Sequence, residues 1–319
     1  MKKMVLIGLI ITALALSLAL GSALAQTKVR VGKAVAKTFG FIPVDVGIDQ
    51  GFFKKRGLDV EVFTFRGAGP MWSAMAAGSI DISVGDSGGP LAIAKGTPIK
   101  ILVDTRNNLN PFVLIIREGS GIKTLADLKG RKIGVTSHGA FTDWVIKGLS
   151  AKMGWDPDTG ITRVPLGPFT GQLAAISRGE TDGFVWTIDG GWEVEAKKLG
   201  RVFISFGEVF PEMNFEVMSV REEFLKKNPD VVKAFVDSWF ESVRFMKANK
   251  DYTVKIMTKV LELTPEIASR VYDYDMKNLP SEPSLKKGAF KILADSYVRD
   301  GLLPKAPDPA IFYDDRFLK

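Results

Sequence analysis

The sequence predicts an α/β protein of two lobes, each a mostly parallel sheet flanked by helices, with two crossovers between the lobes. Three observations carry that prediction. At 319 residues the chain exceeds the roughly 100–150 residues of a usual single core. Strand-like and helix-like apolar stretches alternate along it, the order that builds a parallel sheet covered by helices. The alternation also repeats: "SAMAAGSIDISV" (73–84) and "LAAISRGETDGFV" (173–185) share a helix-like run, a glycine, two residues and an aspartate ahead of a strand. Gly78 and Asp81 thus stand 101 residues before Gly179 and Asp182.

The elements follow in order. Residues 1–25 begin with Lys2 and Lys3, run uncharged from Met4 to Leu20 and end in Ala23-Leu24-Ala25. About 17 apolar residues lie at the short end of the roughly 17–25 that span a bilayer, and the small residues behind them form a signal-peptidase site. The segment is therefore expected to be a cleavable signal peptide, cut after Ala25 and directing the protein to the periplasm. Its removal leaves 294 residues and lowers the formal charge from +7 to +5. With no cysteine in the chain, neither a lipid at the cleavage point nor a disulfide is available.

"VRVGKAV" (29–35) opens the first half as a strand and parallels "RKIGVTS" (131–137), which sets Gly32 102 residues before Gly134; "GLDVEVF" (57–63) has a weaker echo in "GITRVPL" (160–166). "NPFVLIIREGSGIKTLADLKGRKIG" (110–134) starts the second half, and a similar strand in "NFEVMSVREEFLKKNPDVVKAF" (214–235) returns from it. Past Pro229 the pattern turns helical, with Asn228 placed to cap the first helix, Asp251 to start the next and Thr264-Pro265-Glu266 to start another. The helical tail is expected to pack on the first lobe. The expected boundaries are 26–112 with 217–319 for lobe 1 and 113–216 for lobe 2.

"VDVGIDQGFFKKRGLDVEVFTFRGAG" (44–69), "MAAGSIDISVGDSGGPLAIAKGTPIKIL" (75–102) and "IKTLADLKGRKIGVTSHGAFTDWVI" (122–146) carry a resemblance. The chain resembles the solute-binding proteins of ABC importers in the aliphatic-sulfonate, taurine and nitrate group, which also includes pyrimidine-precursor binders. The resemblance covers nearly all of the chain after residue 25. It implies a periplasmic-binding-protein fold of the type II-like kind, acting as a monomer that closes on a small molecule and delivers it to an inner-membrane ABC permease, without a cofactor or metal.

Physical reasoning places candidate binding residues at the carboxyl ends of strands, where helix N-termini point in open α/β sheets. "AKTFGFIP" (36–43) offers Thr38, Phe39 and Phe41. "FRGAGP" (65–70) offers Arg66, a guanidinium able to grip a sulfonate or carboxylate with two bonds, and Gly67, which admits a ligand to the backbone. "GDSGGP" (85–90) offers Asp86 and Ser87; a carboxylate there suits an anion only if the ligand also carries an ammonium or N–H groups. "TSHGAFTD" (136–143) offers Ser137, His138, Gly139 and Thr142 around a helix start, and the spacing leaves open both an anion cradle and a simple Ser137 cap. "FVWTIDGG" (184–191) offers Trp186 and Asp189 at a strand end.

The expected ligand is a small organic anion, a sulfonate or carboxylate with an apolar or planar body. An enzyme of the same fold, or a binder of a nitrogenous heterocycle such as a pyrimidine, is the alternative. For catalysis the sequence offers His138 as its one histidine, no cysteine and no nucleophile elbow, so the expectation is no enzyme. The Lys-Lys pairs at 54–55, 197–198, 226–227 and 286–287 are scattered rather than gathered in a basic block, which argues against nucleic acid. A role in chemoreception or adhesion is left open.

Overall fold

The computed structural model describes residues 26–86, 89–106, 108–213 and 216–318. The expected signal peptide, its cleavage after Ala25 and Ser87 lie outside the described residues. Among the described residues ten strands form two sheets: β1 (Thr27–Lys33), β2 (Leu58–Thr64), β3 (Ile82–Asp86), β4 (Ile99–Asp104), β5 (Phe112–Arg117), β6 (Lys132–Val135), β7 (Thr162–Pro165), β8 (Gly183–Thr187), β9 (Gly200–Ser205) and β10 (Val217–Arg221). The first sheet runs β2-β1-β3-β10-β4 and the second β7-β6-β8-β5-β9. In each, one strand is antiparallel to its neighbours, β10 in the first and β5 in the second, and these two belong to the crossovers. The fold is the α/β two-sheet architecture expected from the alternation.

The helices are α1 (Ile42–Asp49), α2 (Ala68–Ala76), α3 (Gly89–Ala94), α4 (Phe141–Lys152), α5 (Phe169–Ser177), α6 (Ile188–Ala196), α7 (Phe206–Val209), α8 (Glu222–Lys227), α9 (Pro229–Ala248), α10 (Lys250–Leu261), α11 (Pro265–Asp275) and α12 (Lys287–Arg299). Because helices cover both faces, the inner strands read as unbroken apolar runs rather than alternating ones. β8 is buried along its whole length and β5 along all but Arg117. In α9 the residues Val232, Phe235, Val236, Trp239, Phe240, Val243 and Met246 form one buried stripe at helical spacing. α9 and α10 lie against α1 and α12 against α3, while α11 reaches α6 of the second sheet.

Two expected caps differ. Asn228 precedes Pro229 but does not cap α9 with its side chain, which instead donates to the Phe224 carbonyl at 3.3 Å; the N-terminal position of Pro229 is what sets the helix start. α10 starts at Lys250, one residue before Asp251. Thr264 does cap α11, accepting from the Ile267 N–H at 3.3 Å.

The repeat is physical. Asp81 Oδ2 accepts the Arg30 N–H (3.1 Å), and Asp182 Oδ2 accepts the Lys132 N–H (3.0 Å). The same two aspartates take Arg221 and Arg117 N–H groups on their carbonyls, at 2.9 and 2.8 Å, tying β10 and β5 into equivalent places. Downstream, Gly67 N donates to Ala34 O (2.8 Å) and Gly167 N to Thr136 O (3.1 Å), so both halves turn the same way out of their first strands.

Candidate functional site

The carboxyl ends of the two sheets face each other across a cavity of about 60 Å³. The turn after β1 supplies Ala34, Val35, Thr38 and Phe41; Gly67 and Ala68 open α2, and Gly85 comes from β3. From the other side come Thr136, Ala140, Phe141 and Thr142 around the start of α4, with Trp186 and Thr187 ending β8, while Phe112 and Glu216 enter from the crossovers. Thr38 and Thr187 close the cavity directly, their hydroxyls 3.0 Å apart. Gly85 has φ +66° and its missing side chain leaves room for the Phe41 ring, which would lie 2.3 Å from a Cβ there.

Of the residues expected from sequence, Thr38, Phe41, Gly67, Thr142 and Trp186 border this cavity. Thr142 spends its hydroxyl on the turn itself, accepting from the Thr136 N–H (2.9 Å) and sitting 2.9 Å from the Thr136 hydroxyl. Ser137 does not cap α4, which Ala140 precedes without a side-chain cap. Its Oγ is instead buried against Gly67 without a hydrogen-bond partner. Phe39 is fully buried, with the Arg106 guanidinium 5.9 Å from its ring centroid, and does not border the cavity. Arg66 is exposed and does not border it either, because the turn out of β2 directs it to the neighbourhood of Gly167. Asp86 ends β3 with its backbone opposite Val217.

His138 and Gly139 belong elsewhere. They line a second cavity, of about 440 Å³, which shares only Ala140 and Phe141 with the first. His138 is 61% exposed, its Nδ1 lying 3.3 Å from Asp143 Oδ1, and the Gly139 N–H donates to Asp143 Oδ2 (3.1 Å).

The site's charge comes from a cluster that sequence reasoning did not find. Arg106, in the β4–β5 crossover, is fully buried and gives Nε to Glu216 (2.6 Å) and Nη1 to both oxygens of Asp275 (2.9 and 2.7 Å). Although burial works against its charge, Asp275 and Glu216 hold its pKa above the usual range. Burial pushes the Glu216 carboxyl up to about 7 against the pull of Arg106, and raises Asp275 as well. Asp189, just inside α6, is pushed by burial up to about 6, and its Oδ1 has no hydrogen-bond partner. Three carboxylates around one guanidinium cannot all be ionised cheaply in so dry a place. Among the charged side chains described, only Glu216 borders the cavity. Neither Arg106 nor Glu216 sits in a periodic element, so nothing local in the sequence marks them.

Among the described residues no group of three or more His, Asp or Glu side chains is arranged to hold a metal ion, and no helix is long and apolar enough to cross a membrane.

The family model described as NMT1/THI5 like matches residues 38–252. A Brucella abortus protein is 28% identical over 95% of this chain and 96% of its own. The taurine-binding periplasmic protein of Escherichia coli is 30% identical over 65% of this chain and 63% of its own. Among solved structures, the alkanesulfonate-binding protein SsuA from Xanthomonas axonopodis pv. citri bound to MOPS matches with a TM-score of 0.75 at 17% identity, covering 91% of this chain and 96% of that one.

Proposed function

The chain belongs to the NMT1/THI5-like family, and on that premise we propose that it is the periplasmic substrate-binding component of an ABC importer. It closes on a small organic molecule, binds it without transforming it, and hands it to an inner-membrane permease. The observation that carries this reading is the cavity walled by both sheets at their carboxyl ends, bridged by the Thr38–Thr187 contact. A ligand held there touches both halves, and only the closed arrangement offers it both sets of contacts. The two lobes are residues 26–112 with 217–319 and residues 113–216.

The ligand is an organic anion that also carries N–H donors. Glu216, the charged group on the cavity wall, favours an ammonium or another N–H-bearing end. The unpaired Ser137 hydroxyl beside Gly67 and the N–H groups that open α4 favour an anionic end. Trp186 and Phe41 flank the space between. Taurine, for which the Escherichia coli relative is named, has this amphoteric character.

A thermal-shift screen of aminosulfonates, plain alkanesulfonates, carboxylates, nitrate and pyrimidines, followed by titration calorimetry, tests the reading. Aminosulfonates should bind best, and Glu216→Gln should weaken them by about 2–5 kcal/mol, the range for losing one partner of a buried charge pair, and by more than it weakens plain alkanesulfonates, since the lost Arg106 pair is common to both. Arg66→Ala, being outside the cavity, should change binding by less than about 1 kcal/mol, as for a solvated charge. Plain alkanesulfonates binding as tightly as their amino counterparts would remove the donor half of the assignment. Stabilisation by none of these classes would remove the assignment altogether.

A further inference from the structure

The larger of the two cavities, about 440 Å³, lies within the roughly 300–1,000 Å³ typical of small-molecule sites. Its apolar lining comes from Leu91 of α3, Phe141 and Trp144 of α4, Leu293 and Tyr297 of α12, and Leu302 beyond it. Phe141 and Trp144 already form a fixed platform: their rings stack at 5.4 Å with 22° between planes, and the indole N–H of Trp144 is held by Ser296 Oγ at 2.9 Å.

The charged lining is unbalanced. Lys95, Lys147 and Arg163 face a single carboxylate, Asp143. That carboxylate is already committed, taking Arg163 Nε at 2.8 Å and the Gly139 N–H at 3.1 Å. Lys147 and Arg163 share one further anion, Asp158, at 2.7 and 3.0 Å, but its side chain is 60% exposed. Lys95 makes no ion pair among the described residues. Even with Asp158 included the cavity keeps an excess positive charge over an aromatic floor.

We propose that this cavity is a second binding site, for an aromatic organic anion. Its ring lies on the Phe141–Trp144 platform and its carboxylate or sulfonate meets Lys95 and Lys147. Glu216, Thr38 and Thr187 take no part in it. Since α3 and α12 pack with the first sheet and α4 and β7 with the second, an occupant touches both halves and favours the arrangement that brings them together.

Naphthalene-2-sulfonate is the probe, titrated into the full chain carrying labelled Leu, Ile and Val methyl groups and followed by NMR. Saturable shifts are expected at Leu91, Leu293 and Leu302. Lys95→Glu should raise the dissociation constant at least tenfold, Leu302→Trp should abolish binding by filling the space, and neutral 2-naphthol should bind at least tenfold more weakly than the sulfonate. Lys95 is exposed and Leu302 half-buried, so neither change strikes the core, and neither residue borders the strand-end cavity. Shifts confined to Val35 and its neighbours at that first cavity would overturn the proposal while leaving the importer reading intact. So would the absence of any saturable shift up to the solubility of the probe, or parent-like binding by both variants.

Discussion

Asp189 stands at the start of α6, where the helix dipole favours a carboxylate, yet it is fully buried and one of its oxygens has no partner. An ordinary aspartate loses its proton near 3.8, whereas this one keeps it to about 6. Between those values the unfolded chain has released the proton and the native one has not, so stability should fall as the pH rises from about 4 to about 6. Asp189→Asn removes that slope and should stabilise the protein at neutral pH by up to about 3 kcal/mol, at 1.36 kcal/mol per pKa unit. Urea denaturation of both proteins from pH 4 to pH 8 is the measurement; curves that run parallel would show that Asp189 is ionised throughout. The sequence marks Asp189 as a polar residue at a strand end, but the charges it interacts with, Arg106, Glu216 and Asp275, arrive from three distant segments. Arg66 fails in the opposite sense. A guanidinium between a strand and a glycine turn reads as a ligand grip, but the direction in which such a turn sends its side chain is set by the neighbouring half of the molecule, here the Gly167 turn.

At the scale of elements, the repeat was legible because one interaction fixes its spacing. An aspartate just before the third strand of each half reaches back to an N–H of the first strand, which keeps the count of residues through strand, helix and turn nearly constant, 51 from Arg30 to Asp81 and 50 from Lys132 to Asp182. The two copies differ in what else they hold. Asp81 is 2% exposed and also takes Arg30 Nε (2.8 Å) and Nη2 (2.6 Å) and Arg221 Nη2 (2.9 Å), joining β1, β3 and β10. Asp182 is 20% exposed and has only Arg131, at 3.5 Å, besides its backbone bond. Asp81→Ala should therefore cost about 3 kcal/mol, at the low end for breaking a buried pair because Arg30 keeps contact with water. Asp182→Ala should cost about 1 kcal/mol, as for one ordinary hydrogen bond. Chemical denaturation orders them, and equal losses would mean that the backbone tie, common to both, is what matters. Caps were less legible than the repeat: Asn228 and Ser137 both occupy plausible cap positions, but α9 starts on Pro229 and Ser137 is drawn toward Gly67 across the cavity.

Over the whole molecule, the contacts between the halves divide into two kinds. At the crossovers, Arg106 and Glu216 are locked together at 2.6 Å and anchored to Asp275, and breaking a fully buried pair is costly enough to keep this region formed as the halves move. Away from the crossovers the contacts between the halves include the neutral Thr38–Thr187 bond at 3.0 Å, the Trp144 indole N–H on Ser296 Oγ at 2.9 Å, Arg270 over the Trp192 ring at 3.9 Å and Tyr274 edge-on to the same ring at 5.4 Å. Each of these contributes about 0.5–1.5 kcal/mol, far less than the buried Arg106 cluster, so this is the side on which the halves separate most readily. A ligand in the strand-end cavity adds contacts to both sides only when they are together, so its binding energy shifts the population toward closure. The unliganded protein should thus be more extended in solution than the ligand-saturated one, and small-angle scattering should record a smaller radius of gyration once an aminosulfonate is bound. Thr38→Val should enlarge the fraction of open molecules without ligand while leaving the Arg106 cluster, and hence the melting of each half, unchanged. An unchanged radius of gyration, with binding verified by calorimetry on the same sample, would mean that the halves form one rigid body and that the ligand enters by local side-chain movement instead.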